Sequence, residues 1–309
     1  MRYEIKEALP ILEKLLIEGK LNIFIGSGIS IDSGIPTWNG LIEQFIDMAR
    51  HIRFVQEKDK KAIHEICDMA DKRKASGRFN PIEIATVLKN RLRDSIELTI
   101  PQSQAYKDYH NWIGSTFGSN KANQKHIDIV STNYKYILTS NYDDLLQSAA
   151  YDVGHIRLSG NTFSFKNQTE IIKLINNEQS AIIHVHGIVN NLEIDELIFA
   201  KEDYNKIILK KYEGFSFALR MLFTRYSTLF VGYGASDPHL EEVLEELAEY
   251  FPLIDSSYSL PESFLITLRD KADIILEKYK ERVGTNLILI DDFDQYNNLL
   301  SHLKNIQPR

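Results

Sequence analysis

Short apolar runs alternate with amphipathic stretches along most of this chain. Within residues 4–18, Ile5, Leu9, Leu12, Leu15 and Leu16 recur at helical spacing, which predicts a first helix. The apolar run 21–25 follows, and similar runs at 136–139, 181–185, 228–231, 263–267 and 286–290 read as buried strands. The stretch LIFAKEDYNKI at 197–207 reads as a short strand entering a helix, and 150–180 reads as loop and polar helix. Helical patterns separate the runs. One begins at Leu41 and Ile42, one at Asp144, one after Asp237-Pro238, and one closes the chain at about 293–304. Short strands alternating with helices imply an α/β fold, a Rossmann-like parallel sheet with helices on both faces.

Residues of about 50–130 depart from that rhythm. They carry charged helical patterns, such as Ile82, Ile84, Ala85 and Leu88, broken at Gly77, Pro81 and Pro101. This reads as a helical insertion or cap within a single domain covering 1–309. The aromatic series Tyr106, Tyr109, Trp112 and Phe117 fits a helical core better than a binding face. Four polar or glycine-rich turns follow strand ends, at 26–28, 140–143, 186–187 and 232–237. Ligands of open α/β sheets bind beyond strand C-termini where strand order reverses, so these turns should converge on one pocket.

Composition narrows the partners. The 309 residues are 43% hydrophobic and 26% charged, with a net charge of −7. That is ordinary globular composition, and its sign disfavours nucleic acid as a direct ligand. No apolar run approaches the ~18 residues of a membrane span, and the acid-bearing N-terminus does not read as a signal peptide. Cys67 is the one cysteine, so neither an intramolecular disulfide nor a four-cysteine zinc site is possible. A cytoplasmic protein without a metal is the expectation.

The first turn is the most specific. Residues 21–40 read LNIFIGSGISIDSGIPTWNG: strand, glycine turn, then a helical pattern. That arrangement suits a phosphate, with glycines allowing close approach and a positive helix end nearby. The third glycine of a dinucleotide G-x-G-x-x-G is replaced by Ile31. GSGIS followed by GIPTW resembles instead the first signature of the sirtuin superfamily. TSNYD at 139–143, His186-Gly187 and GYGASDP at 232–238 resemble its later signatures, in the same order. Their form is similar to the bacterial sirtuin-like branch found in defence proteins. Departures are clear: Trp38 stands for Phe, Thr37 and Asn39 for Asp and Arg, and Ser27 and Ser140 differ as well. The interval 188–231 has no cysteine, so the family's zinc ribbon is missing, which counts against protein deacylation.

The resemblance implies NAD as substrate and a site with named roles. Gly26, Ser27, Gly28 and Ser30 would cradle the pyrophosphate. Pro36 and Trp38 would cover the nicotinamide, and Ser140, Gly232, Ser236 and Asp237 would complete the cofactor site. Asn141 can hydrogen-bond ribose hydroxyls, the carboxamide or a water. Asp143 offers an acceptor and a charge that favours a developing cation. His186 can take a proton, since histidine titrates near neutral pH. Read alone, Asn141 and Asp143 fit helix capping, and His184 and His186 fit structural histidines; two apart on a strand, they could also pair on a metal, though no third ligand stands nearby.

The expectation is an NAD hydrolase releasing nicotinamide and ADP-ribose. The resemblance implies a triggered effector of bacterial antiphage defence, held inactive as a homo-oligomer or as a subunit of a multi-protein complex. The alternatives are a zinc-free NAD-dependent deacylase and a non-catalytic module sensing NAD or ADP-ribose.

Overall fold

Eight parallel strands form one sheet in the computed structural model. It describes residues 1–306 except 55, 96–97, 99, 119, 190–196, 209–211, 235–236, 255–259 and 280–284. The strands are β1 (Arg2–Glu4), β2 (Leu21–Ile25), β3 (Ile137–Thr139), β4 (Thr162–Ser164), β5 (Ile182–His184), β6 (Ser227–Val231), β7 (Ser263–Leu268) and β8 (Thr285–Ile290), in the spatial order β1-β8-β7-β6-β2-β3-β5-β4. The chain therefore leaves β2 toward β3 on one side and returns to β6 on the other. The strand order reverses at β2, which sets a crevice beyond its C-terminus.

Alternation along the strands sorts the two cores. Phe24 of β2 aligns with Leu138 and Ile183 on one side and with Phe230, Leu265 and Leu287 on the other. That row packs under helices Gln168–Asn176, Glu213–Arg225 and Pro238–Ile254. Ile23 and Ile25 face the opposite way, under helices Ile5–Ile17, Gln124–Ser131, Leu145–Asp152 and Phe293–Lys304. All five β2 residues are buried. A side chain buried on this scale stabilises by about 1.5–3 kcal/mol.

A third core lies outside the sheet. Helices Trp38–His51, Glu57–Ala75, Pro81–Arg93 and Gln104–Phe117 bury Ile42, Phe45, Ile63, Leu88 and Tyr109 against one another. Tyr142, Leu145, Leu197 and Phe199 join that core from the sheet side. A buried ion pair fastens the junction: Lys89 Nζ lies 2.7 Å from Asp203 Oδ2 and donates to Leu197 O at 3.1 Å. Removing one member of such a pair leaves the other uncompensated. Lys89→Ala should therefore lower unfolding stability by about 3–5 kcal/mol in denaturant titration; an unchanged midpoint would contradict the role given to the pair.

Three elements differ from the sequence reading. The three-residue strand β1 precedes the first helix and pairs with β8 at the sheet edge, too short a run for periodicity to reveal. Strand β4 lies within 150–180 and extends the other edge by pairing with β5. The short strand expected at 197–200 does not form. That segment is buried, and its polar groups are met individually: Ile198 N–H donates to His186 O, Tyr142 Oη donates to Ile198 O at 2.6 Å, and Asp203 Oδ2 accepts from Ala200 N–H.

Candidate active site

The C-terminal ends of β2, β3 and β6 open into one cavity of about 750 Å³. Its wall includes Gly26, Ser27, Gly28, Pro36, Trp38, Ser140, Asn141, Asp143, His186, Gly232 and Asp237. The four turns thus converge. Ser30 does not line the cavity; it is fully buried behind Asn141. Ser236 lies outside the described residues.

The glycine turn is built differently from the sequence expectation. Two short 3₁₀ segments, Ser27–Ile29 and Ile31–Ser33, follow it, and the long helix begins only at Trp38 under a Thr37 cap. Gly34, at φ +84°, breaks the path between them. No long helix therefore aims its N-terminus straight out of the turn. Gly28 N–H donates to Gly232 O and Gly26 N–H to Val231 O, each at 3.0 Å, so these amides serve the neighbouring turn. The glycines are required by backbone contact. A Cβ on Gly26 would stand 2.5 Å from Gly232 O, and one on Gly28 would stand 2.9 Å from Gly232 Cα. Gly28→Val should push the two turns apart, lowering stability by about 1–3 kcal/mol through overpacking and distorting the cavity floor. A variant that melts like wild type would contradict this packing.

The β3 turn presents the polar groups. Thr139 Oγ1 donates to Ile25 O and accepts Asn141 N–H at 3.0 Å. His184 Nδ1 lies 3.0 Å from Asn141 O, so β5 holds the peptide on the other side of the same residue. Asn141 Nδ2 donates to Ser30 Oγ at 3.1 Å, while its Oδ1 is buried without a partner. Asp143 Oδ1 accepts Leu145 N–H, and its Oδ2 is buried and unpartnered. Burial pushes the Asp143 carboxyl up to about 6, against the lowering effect of the Leu145 amide and the Ser30 hydroxyl.

His186 follows β5 and is 4% exposed. Its Nε2 stands 2.8 Å from Asp237 Oδ2, at ion-pair distance but not aligned as a hydrogen bond. Tyr204 meets the imidazole edge-on at 5.4 Å, and Tyr142 lies on another side at 6.5 Å. Asp237 Oδ1 meanwhile accepts the His239 and Leu240 amides, capping helix Pro238–Ile254. Burial opposes ionisation of Asp237, but the adjoining His186 prevails and holds the carboxyl below its usual range. Asp237 is thus partner to both a helix end and the imidazole. The two histidines part company: His184, the last residue of β5, holds a backbone carbonyl and His186, two residues beyond, faces Asp237. Among the described residues no three metal-ligating side chains cluster. Elemental analysis should find no stoichiometric zinc; one zinc per chain would overturn that expectation.

Residues that the motifs did not mark also line the cavity: Tyr204, Thr267, Lys271, Phe293 and Tyr296. Thr267 lies at the C-terminal end of β7, so the strand-end rule applied to the later strands would have found it.

Buried ionisable groups give the fold a pH signature. Burial depresses His126, His184 and His239 to about 4 each. Their unfolded values near 6.5 mean that the unfolded chain binds more protons between pH 6.5 and 4, so stability falls as the solution is acidified through that window. Each histidine contributes about 3 kcal/mol to the loss. Asp143 acts oppositely. Its raised value means that the folded chain binds the extra proton between about 4 and 6, so its ionisation costs stability above pH 6. Three groups outweigh one, and unfolding should set in near pH 5; full stability retained at pH 4.5 in a circular-dichroism titration would contradict the burial of these imidazoles. Asp143→Asn should be more stable than wild type by up to about 3 kcal/mol at pH 7.5, with the gain fading as the pH falls from about 6 to about 4.

Residues 135–288 match the family model described as SIR2-like domain. Among curated proteins, the chain is similar to the NAD(+) hydrolase ThsA of Enterococcus faecium, 20% identical over 233 residues. The match covers 74% of this chain and 40% of that protein, so the chain spans about two fifths of its relative's length. The parallel sheet reversing at β2, the converging turns and the family match agree: this chain carries a SIR2-like domain and is a sirtuin-like α/β protein.

Proposed function

We propose that the chain hydrolyses NAD to nicotinamide and ADP-ribose. The observation that carries this reading is a pair of buried acceptor oxygens without partners, Asn141 Oδ1 and Asp143 Oδ2, beside one cavity that also holds His186. An unpaired buried polar atom costs about 1–3 kcal/mol, so these atoms call for donors from a ligand. Ribose hydroxyls and the carboxamide N–H groups of NAD are such donors. The cavity falls within the ~300–1,000 Å³ of small-molecule sites. Similarity to an NAD(+) hydrolase supports the same substrate.

The reaction breaks the bond from ribose C1′ to the pyridinium nitrogen. Both bonding electrons go to that nitrogen, so nicotinamide leaves neutral and needs no strong acid. Positive charge develops at C1′, as in glycoside cleavage. Ionised Asp143 favours that charge, and Asn141 Oδ1 accepts from a ribose hydroxyl to fix the sugar. Water then bonds to C1′ and gives up its proton to His186, whose cationic form Asp237 stabilises. Trp38 and Pro36 cover the nicotinamide end. Gly26, Ser27, Gly28, Ser140 and Gly232 border the phosphates, while Ser30 supports Asn141 from behind. Following nicotinamide release from NAD by the purified protein tests this. NAD recovered intact, or released nicotinamide matched by an acylated ADP-ribose, would contradict it.

The biological role we attach is that of a triggered effector in bacterial antiphage defence, acting in the cytoplasm. An enzyme turning over at an ordinary ~10 s⁻¹ would drain cellular NAD in minutes, so a cell must hold it inactive. Phe117 of the 50–130 segment borders the cavity, beside Trp38 and Leu41 of the preceding helix, which supports that segment as the gate and assembly through it as the control. The isolated protein should be an oligomer, or part of a complex, with low basal activity. A fully active monomer tolerated at high expression, measured by light scattering and growth, would contradict gating.

A further inference from the structure

Behind the cavity wall runs a buried chain of polar side chains that the NAD chemistry does not use. His126, 1% exposed, opens helix Gln124–Ser131 at its third position and forms a capping box with Asn123. Its Nε2 lies 3.1 Å from Ser30 Oγ, the same oxygen that accepts Asn141 Nδ2 at 3.1 Å. The imidazole is neutral, so one nitrogen donates and the other accepts. Its Nδ1 lies 3.2 Å from Asn123 N and 3.0 Å from Asn123 Oδ1. That oxygen already accepts the Lys125 and His126 amides, which fill its two lone pairs. Nδ1 therefore accepts the Asn123 amide, and the proton sits on Nε2, pointing at Ser30. Both acceptor sites of the Ser30 oxygen are thus taken, by His126 and by Asn141.

We propose that His126 is a positioning residue for Asn141: by donating to Ser30 it fixes the Asn141 carboxamide with its nitrogen inward and its oxygen toward the cavity. Without the Nε2 proton, Ser30 is free to donate to the carboxamide oxygen, and the amide can turn over. The cavity would then present a donor where the ribose hydroxyl requires an acceptor. Asn123 anchors the far end, with Nδ2 donating to Ile29 O at 2.9 Å and to Ser33 Oγ at 3.1 Å. The chain thus ties the helix before β3 to the glycine turn after β2.

Two substitutions at one position separate this role from capping. In His126→Gln the amide nitrogen reaches the place of Nε2 and keeps the Ser30 contact, while the capping contact at Nδ1 is lost. In His126→Asn the reverse holds. Positioning predicts that Gln retains kcat within a few-fold while Asn loses ~10²-fold, the scale of a misplaced group, with KM changing much less. A purely structural role predicts that Asn equals or exceeds Gln. Ser30→Ala leaves the cap intact, should match the Asn loss, and should add little to it in the double variant. This kinetic arm rests on the NAD hydrolase reading. A second arm does not: in protein carrying ¹⁵N-asparagine, the Asn141 side-chain amide protons should exchange slowly in wild type and His126→Gln, and quickly in His126→Asn and Ser30→Ala. If that pattern holds while wild type leaves NAD intact, the substrate reading fails and the positioning role stands. Equal exchange in all four proteins, or Asn outperforming Gln in an active enzyme, overturns the proposal.

Discussion

His186→Ala is expected to cleave NAD about 10²–10⁴-fold more slowly than wild type, the usual worth of a general acid–base group, while binding NAD nearly as well. The imidazole is enclosed by Asp237, Tyr142 and Tyr204 and has no role in any of the three hydrophobic cores. Its removal leaves the buried Asp237 Oδ2 without its nearest side-chain neighbour, so folding of the variant must be checked by its melting curve. Asp237→Asn refines the assignment. Its side-chain oxygen still caps helix Pro238–Ile254, but the charge that stabilises the imidazolium is gone. The rate should fall, by less than in His186→Ala, with NAD affinity retained. Wild-type turnover in both variants would remove His186 from the reaction.

Asn141→Ala is expected to lose about 10²–10³-fold in kcat, because the ribose is no longer held against C1′ attack. The loss should not be structural. The Asn141 backbone is fixed by Thr139 and His184, and alanine keeps both contacts. Asn141 Oδ1 has no partner in the protein, so only the bond from Nδ2 to Ser30 disappears. A stable variant with intact turnover would show that the unpartnered oxygen serves no ligand.

Much of this was legible before the structure, for identifiable reasons. Strands β2, β5, β6, β7 and β8 are apolar runs buried on both faces, and such runs stand out against charged helices. The convergence of the turns followed from the parallel sheet alone. Strands β1 and β4 were not legible: three residues each, paired on one side only, they owe their form to the neighbour that receives them. At 197–200 the apolar run was real, but tertiary partners claimed the polar groups that a strand needs. Within the site, residue types were readable and their partners were not. Gly26 and Gly28 suggested phosphate approach, while the structure applies them to the Gly232 backbone. Asp237 read as a helix start and is also the neighbour of His186. His126 sits 15 residues before Asn141 in the chain, in a capping pattern that gives no hint of Ser30.

The central claim is that the cavity beyond β2 cleaves the glycosidic bond of NAD. Its most direct test follows nicotinamide and ADP-ribose by chromatography as purified protein is incubated with NAD across a range of protein concentrations, beside Asn141→Ala. Equimolar release of the two products by wild type, at a low basal rate that falls a further ~10²–10³-fold in Asn141→Ala, is the predicted result. NAD recovered intact at every concentration, or equal release by the variant, would contradict it.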